Sequence, residues 1–216
     1  MREKDDTTQS TSRLRILQQS WTSVFMTLTS IVMGAVFGYF ALIVGENLQN
    51  FDLARWVLAG STFLAIIYVW HNAMMTALIL QNALRMRESI GIFVYGAEEF
   101  MKVRALGTDI PIYVWFFVVA FALFVGSIMF MVVNRDAKAD KQSQDILDHS
   151  DNLLRQTYII ACGFALLIMG LLILFIRSEY LTVSLTILNL LLTIGAVWET
   201  SHYWGGVVRY LDNTAK

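Results

Sequence analysis

One cysteine and one proline stand in 216 residues, and only 15% of the side chains are charged. Cys162 alone cannot form an intrachain disulfide, which removes both a disulfide scaffold and a cysteine-based zinc site. A soluble domain carries about 25% charged residues. The net charge of −1 gives no global attraction to nucleic acid or to an anionic surface, and no nucleic-acid partner is expected. Catalytic signatures are missing as well. There is no GxSxG, HExxH, P-loop or GxGxxG, and no serine–histidine pair at one depth. No enzyme, catalytic residue or cofactor is expected.

Apolar residues fill the space that charge leaves: 56% of the chain is hydrophobic, mean hydropathy is +0.57, and the apolar residues come in long runs. Crossing a bilayer takes about 20 such residues in a helix. The chain reads as an all-α integral membrane protein, a five-span helical bundle with a short cytoplasmic amphipathic segment. The spans fall near Thr22–Val44, Trp56–Leu80, Pro111–Val133, Thr157–Ile176 and Leu181–Trp198. Pro111 suits a helix start, where its missing N–H costs nothing. Only Arg177 to Tyr180 separate the last two spans, which predicts a tight helical hairpin. The first run exceeds the short apolar core of a secretory signal and is read as a retained span.

The chain then divides into a polar cytoplasmic segment (1–21), spans one and two (22–83), a cytoplasmic amphipathic segment (84–110), span three (111–133), a polar extracytoplasmic loop (134–156), the hairpin of spans four and five (157–202) and an extracytoplasmic tail (203–216). The Lys and Arg positions set orientation. With the N-terminus inside, Arg2, Lys4, Arg13, Arg15, Arg85, Arg87, Lys102, Arg104 and Arg177 are cytoplasmic. Arg55, Arg135, Lys138, Lys141, Arg155, Arg209 and Lys216 are external. The bias is shallow, but the segments flanking spans one and two favour the cytoplasm, and the plasma (inner) membrane is the expected location. Trp21, Trp56, Trp115, Trp198 and Trp204 fall near span ends, as in an interfacial belt. Arg85, Arg87, Lys102 and Arg104 form a cytoplasmic basic cluster able to meet anionic headgroups. Asp136, Asp140, Asp145, Asp148 and Asp151 lie in a mixed-charge loop that reads as solvated.

Polarity inside the spans is patterned. Ser23, Thr27, Ser30, Gly34, Gly38 and Ala41 recur at steps of three and four, one face of a helix. Gly34 and Gly38 make a GxxxG, the spacing of close helix contact, and the stripe is expected to pack against other helices of the chain or to bind other membrane proteins. Span five carries Thr182, Thr186, Asn189 and Thr193 on one face, and span two contributes Asn72. Their neutral dipoles suit a pore lining that replaces part of an ion's hydration shell, and they equally suit helix–helix hydrogen bonds. Spans three and four are aromatic and aliphatic, free to face lipid.

Glu199 and His202 have the Glu-x-x-His spacing of carboxylate-bridged metal sites. No further interior carboxylate is expected to complete one, and no metal is predicted. On this topology His71 and His202 sit about 15 Å apart in depth by helical rise, so His71 stands alone as a pH-sensitive gating candidate. The leading expectation is a homo-oligomeric pore for a small ion or solute, lined by span five. The alternatives are a non-conducting scaffold held through the small-residue face and a small solute transporter.

Overall fold

The computed structural model describes residues 3–80, 86–137 and 152–214, with side chains for 20, 22–75, 91–128, 131 and 157–209. Among the described residues there are α-helices and no strands. In chain order they are α1 (Glu3–Asn47), α2 (Leu53–Leu80), α3 (Met86–Arg104), α4 (Ile112–Ala137), α5 (Asn152–Ile176) and α6 (Glu179–Thr214). Four helices are long and apolar enough to cross a membrane, over Thr22–Asn47, Leu53–Met75, Thr157–Ile176 and Glu179–Arg209. A shorter apolar stretch covers Ile112–Ile128.

The helices pair as three hairpins whose short turns gather at one end of the bundle, the turn end. Asp52 caps α2, its carboxylate accepting the Arg55 N–H at 2.8 Å, which satisfies one of the orphan donors of a helix start. Pro111 directly precedes α4, and its carbonyl accepts the Val114 N–H at 3.0 Å. Between α5 and α6, Arg177 takes a left-handed conformation (φ 50°), and Ser178 opens α6 by accepting the Leu181 N–H on its hydroxyl. The first two turns are locked together. Arg55 enters α2 buried and donates to the carbonyls of Leu106 (2.9 Å), Gly107 (2.6 Å) and Ile110 (2.8 Å). Thr108 donates to Asn47 Oδ1 at 2.8 Å.

The helices pack in a different spatial order from the one expected. The helix of segment 84–110 does not continue α2. That helix, α3, runs back beside α1, in the same direction, so that Gly96 meets Val32 and Phe100 meets Tyr39 with ring centroids 5.4 Å apart. With α3 packed alongside α1, every later helix runs opposite to the expected direction relative to α1 and α2. The α5–α6 hairpin lies at the turn end, and α6 descends parallel to α2. The Trp204 indole N–H donates to Asn72 Oδ1 at 2.9 Å, so the start of the 203–216 segment lies at the same end as Thr22 rather than at the opposite one.

The closest helix pair is α4 with α5, the two expected to be most free of partners. Gly163 and Gly170 of α5 leave notches for the rings of Phe124 and Phe117. These helices still turn Phe121, Phe164, Ile168 and Phe175 outward. Trp115 and Trp204 are buried rather than interfacial, and Trp115 donates to Thr62 Oγ1 at 3.0 Å. Polar groups such as Thr62, Thr186 and Asn189 lie inside the bundle, while many large apolar side chains face out. A soluble core sorts its side chains the other way.

Candidate functional site

α3 carries Gly91, Ile92, Gly96, Glu98, Glu99, Lys102 and Val103 on buried positions and Phe93, Ala97, Met101 and Arg104 on exposed ones. The exposed positions step by four, four and three, one helical face, and that face is apolar until it reaches the turn end. The charge points inward. Glu99 is 1% exposed, Lys102 4% and Glu98 7%.

Their depth follows from α1. Glu98 and Glu99 lie between Gly96, level with Val32, and Phe100, level with Tyr39. Tyr39 is eight residues inside the end of the apolar stretch at Asn47, or about 12 Å at helical rise. The carboxylates therefore lie beside the apolar stretch of α1, between the levels of Val32 and Tyr39.

Lys102 donates to Glu99 Oε1. That ion pair satisfies one carboxylate oxygen of Glu99 and leaves Oε2 without a hydrogen-bond partner. Glu98 Oε1 has none either, and both atoms are buried. Two carboxylates thus share one ammonium. Tyr95 lies in electrostatic reach of Glu98 and of Tyr68 on α2. Tyr68 in turn lies in reach of Tyr158 on α5, whose hydroxyl bonds Cys162 and which also senses Glu199 on α6. Titratable groups therefore run from Lys102 toward the opposite end of the bundle through four helices.

At the turn end the polarity is solvated. Arg104 makes a two-pronged contact with Asp109, one bond at 2.9 Å. These hydrogen bonds hold the Asp109 carboxyl down at about 2. Of the expected cytoplasmic basic cluster, then, Lys102 is a buried ion-pair partner and Arg104 a turn residue. Arg85 lies outside the described residues, as do the side chain of Arg87 and the acidic loop over 138–151.

The span-five residues are turned into the protomer. Thr186 and Asn189 are buried, on the same face as Leu185 and Leu192, which pack on the core. The Thr182, Thr186 and Thr193 hydroxyls donate to carbonyls of their own helix, Ser178, Val183 and Asn189. Asn189 Nδ2 is buried without a hydrogen-bond partner. Outward, α6 shows Ile187, Leu188, Leu191, Ile194 and Trp198. Within the protomer Thr186 and Asn189 are buried, and Thr182 and Thr193 are half-buried. Asn72 is engaged at both ends, donating to the Tyr68 carbonyl at 3.0 Å and accepting from Trp204.

The expected depth gap between His71 and His202 closes, because α6 runs parallel to α2 and Asn72 bonds Trp204. His71 is half-buried, whereas His202 is exposed and stacks on Trp198. No group of three His, Cys, Asp or Glu among the described residues converges on one point.

The α1 stripe is exposed, and its Ser23, Thr27 and Ser30 line an open groove shared with Met74 of α2. Ser23, Thr27, Ser30, Gly34, Gly38 and Ala41 are all exposed, and a Cβ placed on Gly34 or Gly38 meets nothing within 4 Å. Of the two expectations for these residues, packing within the chain finds no neighbour at Gly34 and Gly38, and contact with another membrane protein stays open.

Sequence reasoning missed Glu98 and Glu99 as interior carboxylates. The available signal was the apolar four-residue stepping of Phe93, Ala97 and Met101 on the face opposite the charge. No protein-family model matches the chain, and no curated protein or solved structure matches it.

Proposed function

We propose that this multi-pass membrane protein moves a small cation across the bilayer through the interior of its own helix bundle, along the α3 face. The observation that carries the reading is the second carboxylate. A structural ion pair is complete with Glu99 and Lys102. Glu98 adds a second buried carboxylate that has to share the one ammonium, which is costly in an apolar layer. Ionisable groups held inside membrane bundles serve ion pathways and proton relays above all. The row of hydroxyls leading from Glu98 through Tyr95 and Tyr68 supports the same reading.

In this picture α1, α2, α4, α5 and α6 are the five spans, and α3 is a sixth traverse shielded by α1, α2 and α4. The Lys and Arg distribution supports an orientation. Only Arg55, Lys102, Arg104 and Arg177 belong to the turn end, and every other basic residue lies in sequence toward or beyond the opposite helix ends. By the positive-inside rule the turn end is external, with both chain ends cytoplasmic.

A second reading has its own observation. The outward small-residue face of α1 suits self-association or attachment to another membrane protein, and the protein is then a homo-oligomer or a scaffold. Cation flux into liposomes separates the two. Transport through the protomer predicts flux that Glu98→Gln abolishes and Gly38→Leu leaves intact. Silence of the wild-type protein in vesicles, at every pH and potential applied, would leave the scaffold.

A further inference from the structure

We propose that Glu98 is an exchangeable proton-binding site, loaded and unloaded while Glu99 and Lys102 stay paired beside it. The argument starts from charge. Two carboxylates and one ammonium leave one uncompensated negative charge among residues that are 1 to 7% exposed. A buried charge without a partner is neutralised more readily than it is solvated. One proton on Glu98 brings the group to zero and turns an orphan acceptor into a donor. A proton needs a single oxygen, and Glu98 Oε1 is buried and open to accept one. A metal cation needs a shell, and no three His, Cys, Asp or Glu side chains converge here among the described residues.

The surroundings favour Glu98 over its neighbours as the group that changes. Glu99 is held by Lys102. On its own helix Glu98 is faced by Tyr95, Glu99 and Lys102. From α2 comes Tyr68, in reach of Tyr95. From α1 comes Tyr39, in reach of Arg104, which is already paired to Asp109. α4 supplies Tyr113, packed on Phe117. No second cation stands by to fix Glu98 as an anion, and the tyrosine hydroxyls both donate and accept, as a proton's neighbours must.

This inference rests on the cation-transport reading for its purpose, but its test does not need flux. Full-length protein in mild detergent is titrated between about pH 5 and 9, following the infrared carbonyl stretch of protonated carboxylic acids. The expected result is one buried carboxyl step, lost in Glu98→Gln and restored in Glu98→Asp. In Glu99→Gln, Lys102 is freed to pair with Glu98, and the step shifts to lower pH by about one unit or more, the effect of a close opposite charge. The proposal is overturned if the step survives unchanged in Glu98→Gln. It is also overturned if exchanging potassium for sodium at constant ionic strength moves the step, since a metal ion is then the occupant. Vesicles of the same preparation separate the two readings. A Glu98-dependent step without flux keeps the proton site and removes transport, and flux without the step does the reverse.

Discussion

Two long faces of α1 meet different surroundings. One bears Val32 and Tyr39 and is covered by α3. The other bears Ser23, Thr27, Ser30, Gly34, Gly38 and Ala41 and is exposed. The small-residue face borders Met74 of α2 across a groove at its Ser23–Ser30 end and has no close neighbour in the protomer at Gly34 and Gly38. The β-branched face has the close neighbour, because the glycine that permits it sits on α3. A Cβ on Gly96 would come within 2.5 Å of Val32 Cγ1. Close approach needs only one partner to be small. The same device recurs between α4 and α5, where Gly163 and Gly170 receive phenylalanines. The pattern teaches that helix position in this bundle follows where a glycine faces a bulky side chain, and that a glycine stripe on its own is a surface still to be used.

The sharpest way to break the covered face is to remove its cation. Lys102→Met leaves Glu98 and Glu99 both buried without a counter-ion. Breaking a buried pair from one side costs about 3–5 kcal/mol, and thermal unfolding in detergent should show a loss of that size. The double variant Lys102→Met/Glu99→Gln should recover much of it. If the single and double changes simply add, the two residues are not coupled as described.

Gly96→Ala attacks the same face sterically. Val32 is stiff at its branch point, so α3 must back away from α1, at a cost of about 1–3 kcal/mol for overpacking. Val32→Ala in the same chain should restore the lost stability. Rescue by Val32→Ala but not by Val36→Ala would fix the register of the two helices.

How much of this was readable from the residues depends on the helix. The four longest apolar helices, the helix start at Pro111 and the turn between α5 and α6 follow from apolar length and cap chemistry, which act locally. α3 did not follow, because hydropathy sums over both sides of a helix. Averaged, Glu98, Glu99, Lys102 and Arg104 cancel Phe93, Val94, Phe100 and Met101, and the segment reads as interfacial. Gly91 and Gly96 read as weak points of a helix, and their packing use appears only when Val32 is known to face one of them. Leaving α3 out of the bundle then inverted the relative direction of everything downstream, from the level of His202 to the end holding Arg177. The near-even split of Lys and Arg in the five-span reading was the visible symptom. The six-helix arrangement removes it, since a polarised distribution reappears without moving any residue in sequence.

The uncovered face should behave in the opposite way to Gly96. Gly34→Ala and Gly38→Ala add a methyl group where nothing lies within 4 Å, so protomer stability should stay within about 0.5 kcal/mol, as at other open surface positions. The informative readout is assembly, followed by light scattering or cross-linking in mild detergent. A wild-type oligomer that Gly38→Leu dissociates, with folding intact, would give the stripe its partner. A destabilised monomer would show instead that the face is occupied within the chain.

The smallest effect belongs to the solvent side of the same helix, where α3 ends. Arg104 and Asp109 are exposed, and water screens their attraction. The sign of their pH dependence is nevertheless fixed. In the folded protein the Asp109 carboxyl is held near 2, below the roughly 3.9 of a free aspartate. The folded state therefore binds fewer protons than the unfolded one in that interval. The stabilisation is present above about pH 4 and disappears as the pH falls through 2. Asp109→Asn should flatten that acid limb of the unfolding curve and leave the neutral region almost unchanged. An Asp109→Asn variant that instead lost stability near pH 7 would mean that the pair closes the α3–α4 turn more firmly than an exposed contact can. Part of the load now assigned to Arg55 and its three carbonyls would then belong to Arg104 and Asp109.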